Sequence, residues 1–114
     1  MIAVIFEVLP QADKASRYFD LAAAMRAELA AIDGFVSVER FQSLTTPGKL
    51  LSLSFWRDEA AVHEWRNRAS HRAGQQEGRA EVFAGYRIRV AEVLRDYGLN
   101  ERDQAPADSR IALS

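Results

Sequence analysis

The segment LLSLSFW, residues 50–56, constrains the fold most, because it predicts a β-strand whose two faces are unlike each other. Successive side chains of a strand alternate between its faces. One face is therefore wholly apolar and carries Leu51, Leu53 and Phe55. The other face mixes hydroxyls with large apolar groups, in the order Leu50, Ser52, Ser54 and Trp56. A helix-covered face suits that mixture, either with the serines as locally bonded fillers or with the serines lining a small-molecule pocket.

Three further strands are predicted by runs of β-branched and aromatic residues. Pro10 ends the first strand, and the turn TTPGK, residues 45–49, joins the second strand to the third as a hairpin. The four predicted strands span residues 2–9, 35–44, 50–56 and 86–96.

Helical segments separate these strands. After Asp13, a candidate N-cap, apolar residues recur at steps of three and four until Gly34 ends the helix. Asp58 is the candidate cap of a short helix, and Ser70 is the candidate cap of a segment that runs to about Ala84. The polar residues after the last strand carry no strong signal for secondary structure.

The predicted order is β-α-β-β-α-β, an α+β fold of the ferredoxin-like type with one four-stranded antiparallel sheet. Right-handed crossovers place both helical regions on the same face of the sheet. The other face is apolar, with Ala3, Ile5, Leu51, Leu53 and Phe55. Monomers rarely expose so large an apolar area, so we expect a homodimer in which a second copy covers this face. The domain is predicted over residues 1–98, followed by a tail over residues 99–114.

Composition argues against several classes of function. A chain of 114 residues forms one domain, and a net charge of -1 gives no general attraction to nucleic acid or to an anionic membrane. There is no cysteine for a disulfide framework, and two histidines without a His/Cys cluster make a weak case for a metal site. No basic stretch precedes the first apolar run, so no secretory signal is predicted and we expect a cytoplasmic protein.

Four stretches together resemble the antibiotic biosynthesis monooxygenase superfamily of dimeric α+β barrels, and the resemblance covers about residues 2–98. They are AIDGFVSVERF, FWRDEAAVHEW, HRAGQQEGR and FAGYRIRVAEVLRDYG. Some members of the superfamily oxygenate phenols or hydroquinones with no metal or flavin. The resemblance to these enzymes implies a pocket tryptophan at Trp56. Ser52 stands where they can have an asparagine, and Val62 stands where they can have a tyrosine.

Other members of the superfamily bind and degrade heme. Trp65 matches the helix tryptophan of that group, but Val4 stands near the position of its first-strand asparagine. The heme-degrading members also have a histidine about three turns beyond that tryptophan. His71 lies six residues after Trp65, about one turn too early to match it, and Gly74 or Gln75 falls near the expected position. Heme degradation is therefore the second-ranked activity, and no cofactor is expected.

The resemblance and the strand pattern together predict a site for an aromatic small molecule and O2. His71 is the candidate catalytic base. The candidate substrate-binding residues are Val4, Phe6, Ser52, Ser54, Trp56 and Trp65. Alternatives stay open: Trp65 can be a core residue, His71 a surface residue, and the protein a non-catalytic dimer that binds a hydrophobic molecule. The arginines of WRNRASHR, residues 65–72, form either a solvated surface or a guide for an anionic substrate.

Overall fold

The computed structural model describes residues 1–68, 72, 76–77 and 82–113. Their order confirms an α+β fold with one four-stranded antiparallel sheet. The strands are β1 (Ile2–Pro10), β2 (Phe35–Gln42), β3 (Leu50–Trp56) and β4 (Phe83–Glu92). Helices lie at α1 (Ala15–Ala30), α2 (Glu59–Arg66) and α3 (Ala107–Leu113).

The sheet has the strand order β2-β3-β1-β4, and its register fixes which side chains share a face. Across the sheet, Phe6 lies opposite Ser52 on one side and Ile88 on the other. Two residues earlier in β1, the same relation joins Val4 to Ser54 and to Val90. These residues belong to the face that α1 and α2 cover, which we call the helix-covered face.

The core lies between the helix-covered face and the two helices. One cluster joins Trp56 of the sheet to Leu29 of α1 and Val62 of α2, and Trp56 is only 1% exposed. A second cluster, nearer the other end of β1, joins Val8 to Tyr18 of α1. Burial of these apolar side chains is the main force that holds the helices on the sheet.

Gly34 ends the first helical region as predicted. Its φ is +93°, a conformation that favours glycine because other residues meet steric strain there. A Cβ at this position would also lie 2.9 Å from the Cβ of Ala61 in α2. Gly34 therefore both turns the chain into β2 and allows α2 to pack closely beside that turn.

Two predicted helix caps have opposite outcomes. Asp58 caps α2, since its Oδ1 accepts a hydrogen bond of 3.0 Å from the Ala61 backbone N–H. The prediction of Asp13 as the cap of α1 is wrong, because Lys14 occupies the N-cap position without a side-chain cap. The Lys14 N–H bonds to the Gln11 carbonyl, and this turn delays the start of the helix.

Strand ends also differ from prediction, for reasons that lie elsewhere in the chain. β4 begins at Phe83 because that residue pairs with Pro10, and it ends at Glu92, opposite the first residue of β1. Just outside both strands, the Val93 N–H still donates to the Met1 carbonyl over 2.9 Å. β2 ends at Gln42 rather than at residue 44, because Ser43 enters the turn and its Oγ accepts the Thr46 N–H.

The tail has more structure than its sequence indicates. α3 lies within it, and two arginines hold the surrounding loop through backbone carbonyls. Arg102 donates to the carbonyls of Gly98 and Ser109, and Arg110 donates to that of Ala105. None of the helices in the described ranges is long and apolar enough to cross a membrane.

The opposite face of the sheet carries the predicted apolar set. Ala3 is buried, and the remaining four members, Ile5, Leu51, Leu53 and Phe55, are half-buried in the single chain. Glu7 lies on the same face, with one carboxylate oxygen 3.4 Å from Lys49 Nζ and 3.4 Å from Arg89 Nη1. Burial alone would raise the pKa of Glu7, but these two cations lower it below its ordinary value. The homodimer stays a prediction.

Candidate functional site

A cavity of about 480 Å³ lies between the helix-covered face and the helices, and we call it the central cavity. Its volume falls within the range of about 300–1,000 Å³ that is usual for small-molecule sites. The sheet supplies its floor. Leu21, Ala22 and Met25 of α1 border one side, and Val62 and Trp65 of α2 border another. The surface of the cavity is predominantly apolar, as expected for a site that holds an organic ligand.

All of the predicted substrate-binding residues border this one cavity. They are Val4, Phe6, Ser52, Ser54, Trp56 and Trp65. Strand alternation accounts for the members from β1 and β3, because their even-numbered residues share the helix-covered face. The predicted base, His71, lies outside the described residues, as do Gly74 and Gln75 of the heme pattern.

Ser54 and Trp56 form a buried hydrogen-bonded pair at the floor. The indole Nε1–H of Trp56 donates to Ser54 Oγ over 2.9 Å, and the two residues are 1% and 8% exposed. Ser54 is therefore locally bonded, as one of the two interpretations predicted, and this bond uses one lone pair of its oxygen. A serine hydroxyl has one O–H donor and two acceptor lone pairs, so the Ser54 proton stays available to a ligand.

Ser52 differs from Ser54 in its contacts. It borders the same cavity two residues earlier in β3, yet its hydroxyl makes no side-chain hydrogen bond with the part of the chain that the structure describes. A buried or half-buried hydroxyl usually finds a partner. Ser52 is therefore the floor residue with the fullest capacity to bond a ligand.

Aromatic rings border the cavity at both ends. Trp56 and Trp65 stack with centroids 6.4 Å apart at 28°, which aligns two indoles along one wall. At the β4 end, Phe6 contacts Phe83 and Tyr86 with ring centroids 5.8 and 5.9 Å away. A flat apolar molecule would find ring surfaces at each end of the cavity floor.

Tyr18 and Tyr86 are cavity residues that the sequence did not indicate as functional. Tyr18 is one of the residues that recur at helical spacing in α1, and it is 5% exposed. The alternation of β4 would have indicated Tyr86, because it shares a face with Ile88 and Val90.

Arg40 is the most informative residue that sequence reasoning missed. It lies on β2 opposite Ser52, borders the central cavity, and has a buried Nε with no hydrogen-bond partner in the described ranges. Alternation along β2 was the available signal, because Val38 and Arg40 share the face of the two serines. A charged residue on a covered face has a specific partner or a function.

Two of the three arginines in WRNRASHR border the cavity, and the third does not. Arg66 lies with one Nη 3.0 Å from His63 Nδ1, and Arg72 donates to Asn67 Oδ1 over 2.8 Å. Arg68 instead lies 3.3 Å from Glu64, its neighbour one turn earlier. Arg66 and Arg72 therefore lie at positions suited to guiding an anionic substrate into the cavity.

An ion-pair cluster fixes α2 relative to the turn before β2. Arg57 donates to both Asp33 oxygens over 3.2 Å and to Asp58 over 3.1 Å. Hydrogen bonds from Arg57 lower the pKa of Asp33, and the Ala61 backbone N–H, followed by Arg57, lowers that of Asp58. These contacts lie outside the cavity and position the helix that carries Trp65.

No group of three or more His, Cys, Asp or Glu side chains that could hold a metal ion occurs in the ranges the structure describes. His63, the histidine within those ranges, is exposed on α2 beside Arg66.

Comparisons with a family model and with known proteins indicate the same family. The family model described as antibiotic biosynthesis monooxygenase matches residues 1–77, which confirms the resemblance found in the sequence. A protein of Pyricularia oryzae named jasmonate monooxygenase ABM is 46% identical over 101 residues, which cover 89% of this chain and 47% of that protein. The chain thus spans about half the length of that relative.

One more distant relative and one solved structure are also similar to this chain. The uncharacterized protein YqjZ of Bacillus subtilis is 30% identical over 93 residues, which cover 82% of this chain and 79% of that protein. The crystal structure of Rv0793 from Mycobacterium tuberculosis aligns with a TM-score of 0.75 at 23% identity. That alignment covers 85% of this chain and 98% of the other.

Proposed function

Because the chain belongs to the antibiotic biosynthesis monooxygenase family, we propose that it oxygenates an electron-rich aromatic molecule, a phenol or hydroquinone, without metal or flavin. The observation that carries this proposal is the lining of the central cavity, where Trp56, Trp65 and Phe6 lie beside two serine hydroxyls. Such walls favour a flat ligand by stacking. An apolar enclosure also excludes water from reactive intermediates.

The proposed reaction balances without an external reductant. A base removes the phenolic proton, the anion passes an electron to O2, and the two radicals join through a new carbon–oxygen bond. Loss of water from the resulting hydroperoxide gives a quinone. The ring thereby gives up four electrons, one oxygen atom becomes a carbonyl, and the other leaves in water. The protein has to accept the proton, hold the ring and donate to the developing negative oxygen.

Ser52 is the proposed donor to that oxygen, with Ser54 beside it. The support is that the Ser52 hydroxyl borders the cavity and makes no side-chain hydrogen bond with the described residues. Ser54 can donate its proton while its oxygen holds the Trp56 indole. Val4 and Phe6 are proposed to contact the apolar part of the substrate.

The base is proposed from sequence alone and is His71. If this histidine accepts the phenolic proton, kcat rises with pH through a pKa near the ordinary value of about 6.5, since only neutral imidazole is a base. His71→Ala then lowers kcat by roughly 100-fold. His63→Ala, which changes an exposed histidine on α2, is the matched control and leaves kcat unchanged. An unaltered pH profile in His71→Ala contradicts the assignment.

A second substrate class is favoured by one observation, the 46% identity to the protein named jasmonate monooxygenase ABM. Jasmonate is an alicyclic carboxylate, not an aromatic molecule. Insertion of oxygen at a saturated carbon to give an alcohol consumes two electrons from an external donor, because the carbon itself supplies only two of the four that O2 takes up. The need for a reductant therefore separates the two candidates.

Oxygen uptake by the purified protein tests the proposal. The substrates are a series of phenols and hydroquinones, and jasmonate, each with and without an added reductant. We expect uptake with a phenolic substrate and no reductant, and one labelled oxygen atom in the product when the gas is isotopic O2. Tight binding without uptake in any arm would instead establish a non-catalytic binding protein. Uptake only with jasmonate and a reductant would favour the second class.

The proposed assembly is a homodimer. The support is the set of apolar side chains on the face that the helices leave open, Ile5, Leu51, Leu53 and Phe55, together with the commonness of two-fold pairing. The central cavity lies on the other face of the sheet, so each copy carries its own site.

A further inference from the structure

We infer that the central cavity selects organic acids, and that Arg40 binds the carboxylate of the ligand at the β2 end. This inference rests on the proposed function, because it names the substrate class of the same cavity. It adds a charge requirement that neither an aromatic wall nor a serine hydroxyl supplies.

The first support is the position of Arg40 in the sheet. Arg40, Ser52, Phe6 and Ile88 form one row across the four strands, all on the helix-covered face. Neighbouring strands lie about 4.8 Å apart, so the row spans roughly 14 Å. Its β2 end is cationic and its β4 end is apolar and aromatic. The floor therefore matches an elongated molecule with one anionic end.

The second support is the unpaired donor. The Nε–H of Arg40 is buried and has no partner among the described residues. Leaving a buried polar group without a hydrogen bond is costly, and the cost is higher for a charged group. A bound carboxylate removes that cost, since its two oxygens accept from Nε–H and from a neighbouring Nη–H of the same planar fork.

The third support is the charge of the lining. Arg40, Arg66 and Arg72 all border the cavity, whereas no Asp or Glu of the described ranges does. Three cations around a largely apolar space raise the local concentration of anions. Arg66 and Arg72 already contact His63 and Asn67, so Arg40 is the one with its buried donor free for a ligand.

A carboxylate fits these observations better than a lone phenolate. A carboxylate presents two coplanar oxygens to the guanidinium fork, whereas a phenolate presents one. Ser52 lies directly across from Arg40 in the register, but its single hydroxyl proton is assigned to the developing oxygen, so the carboxylate is bound by the Arg40 fork. The reacting ring or chain then extends over Phe6 toward β4, and the acid serves as an anchor at the opposite end from the aromatic cluster.

Binding under anaerobic conditions tests the inference without any turnover. The probes are two matched pairs: 1-naphthaleneacetate with 1-naphthaleneacetamide, and jasmonate with methyl jasmonate. Charge-assisted hydrogen bonds contribute about 1.5–3 kcal/mol, so each acid should bind roughly 10- to 100-fold more tightly than its neutral partner. Quenching of tryptophan fluorescence or calorimetry gives the dissociation constants.

Variants assign the effect to Arg40. Arg40→Met keeps an apolar chain of similar length and removes the charge, so it should abolish the preference for acids while changing the affinity for amide and ester less than about 3-fold. Arg40→Lys retains the charge but loses the fork, so it should keep part of the preference. Arg26→Met removes an exposed charge of α1 and is the matched control. It should leave both affinities unchanged.

Several results would overturn the inference. They are equal affinity of the wild-type protein for acid and neutral partner, an acid preference that survives in Arg40→Met, and a parallel loss of both affinities in that variant with its fold intact by circular dichroism. Failure of the proposed oxygenase is distinguishable. Selective acid binding without oxygen uptake would contradict only the proposed oxygenase activity. Oxygen uptake with neutral phenols and no preference for acids would contradict only the inference about Arg40.

Discussion

The Ser54→Ala substitution is expected to destabilise the fold, because it removes the only hydrogen-bond acceptor seen for the Trp56 indole within the described residues. The indole N–H is deeply buried, so it stays without a partner once the 2.9 Å bond to Ser54 Oγ is lost. Leaving a buried donor unsatisfied costs about 1–3 kcal/mol. With an m value of roughly 1–2 kcal/mol/M for a domain of this size, the urea midpoint should fall by about 1 M.

Ser52→Ala is the matched control for that measurement. It removes the same hydroxyl from the same strand and the same face, two residues away, where no side-chain hydrogen bond is lost within the described ranges. Its free energy of unfolding should change by less than about 0.5 kcal/mol. Ser52→Ala should instead weaken ligand binding. The two serines thus separate a structural role from a ligand-binding role within one strand.

Urea unfolding followed by circular dichroism measures both changes, at one fixed protein concentration because dimerisation would alter apparent stability. A double-mutant cycle with Trp56→Phe isolates the hydrogen bond. Ser54→Ala should cost about 0.5–1.5 kcal/mol less in the Trp56→Phe background. Equal costs in both backgrounds, or equal costs for Ser52→Ala and Ser54→Ala in the wild type, would show that the Ser54–Trp56 hydrogen bond does not stabilise the fold.

Three further predictions concern the interface, the wall and the α2 cap. Leu53→Glu should give monomeric or aggregated protein in sedimentation, since it places a charge on the proposed dimer face, and a well-folded dimer would show that this face is not the interface. Trp65→Phe should raise KM more than it lowers kcat, as expected of a wall residue, and a selective loss of kcat would contradict that role. The Asp58 pKa is lower in the folded protein than its ordinary value of about 3.9, so its contribution to stability is complete above that pH and is lost as pH falls through the folded pKa. The Tm of Asp58→Asn should therefore fall less than that of the wild type on acidification below about pH 4, and parallel curves would argue against the cap.

The features predicted correctly from sequence are those that depend on local periodicity. Alternation in β1 and β3 placed Val4, Phe6 and the two serines on one face, because side-chain direction in a strand follows directly from parity. The glycine after α1 was predictable for a similar reason, since a left-handed residue is common just past a helix end. These signals need no knowledge of the rest of the chain.

The features that sequence missed depend on distant contacts. β4 starts and ends where β1 provides pairing partners, which the residues of β4 do not encode. α3 is a short helix in a loop held by Arg102 and Arg110, and such contacts with backbone carbonyls leave little local signal. Arg40 escaped notice because arginine on a strand usually lies in solvent. Alternation along β2 could have assigned it to the face of Val38, but its position beside Ser52 depends on the register of β2 against β3.

We propose above that the cavity beneath α1 holds the substrate. A crystal structure of the protein with a bound phenolic or alicyclic acid, prepared without O2 so that the ligand is not consumed, tests this most directly. We expect the ring or chain over Phe6 and beside Trp56, with the carboxylate against the Arg40 fork. A ligand on the opposite face of the sheet, or one in the cavity with its carboxylate directed away from Arg40 toward β4, would contradict it.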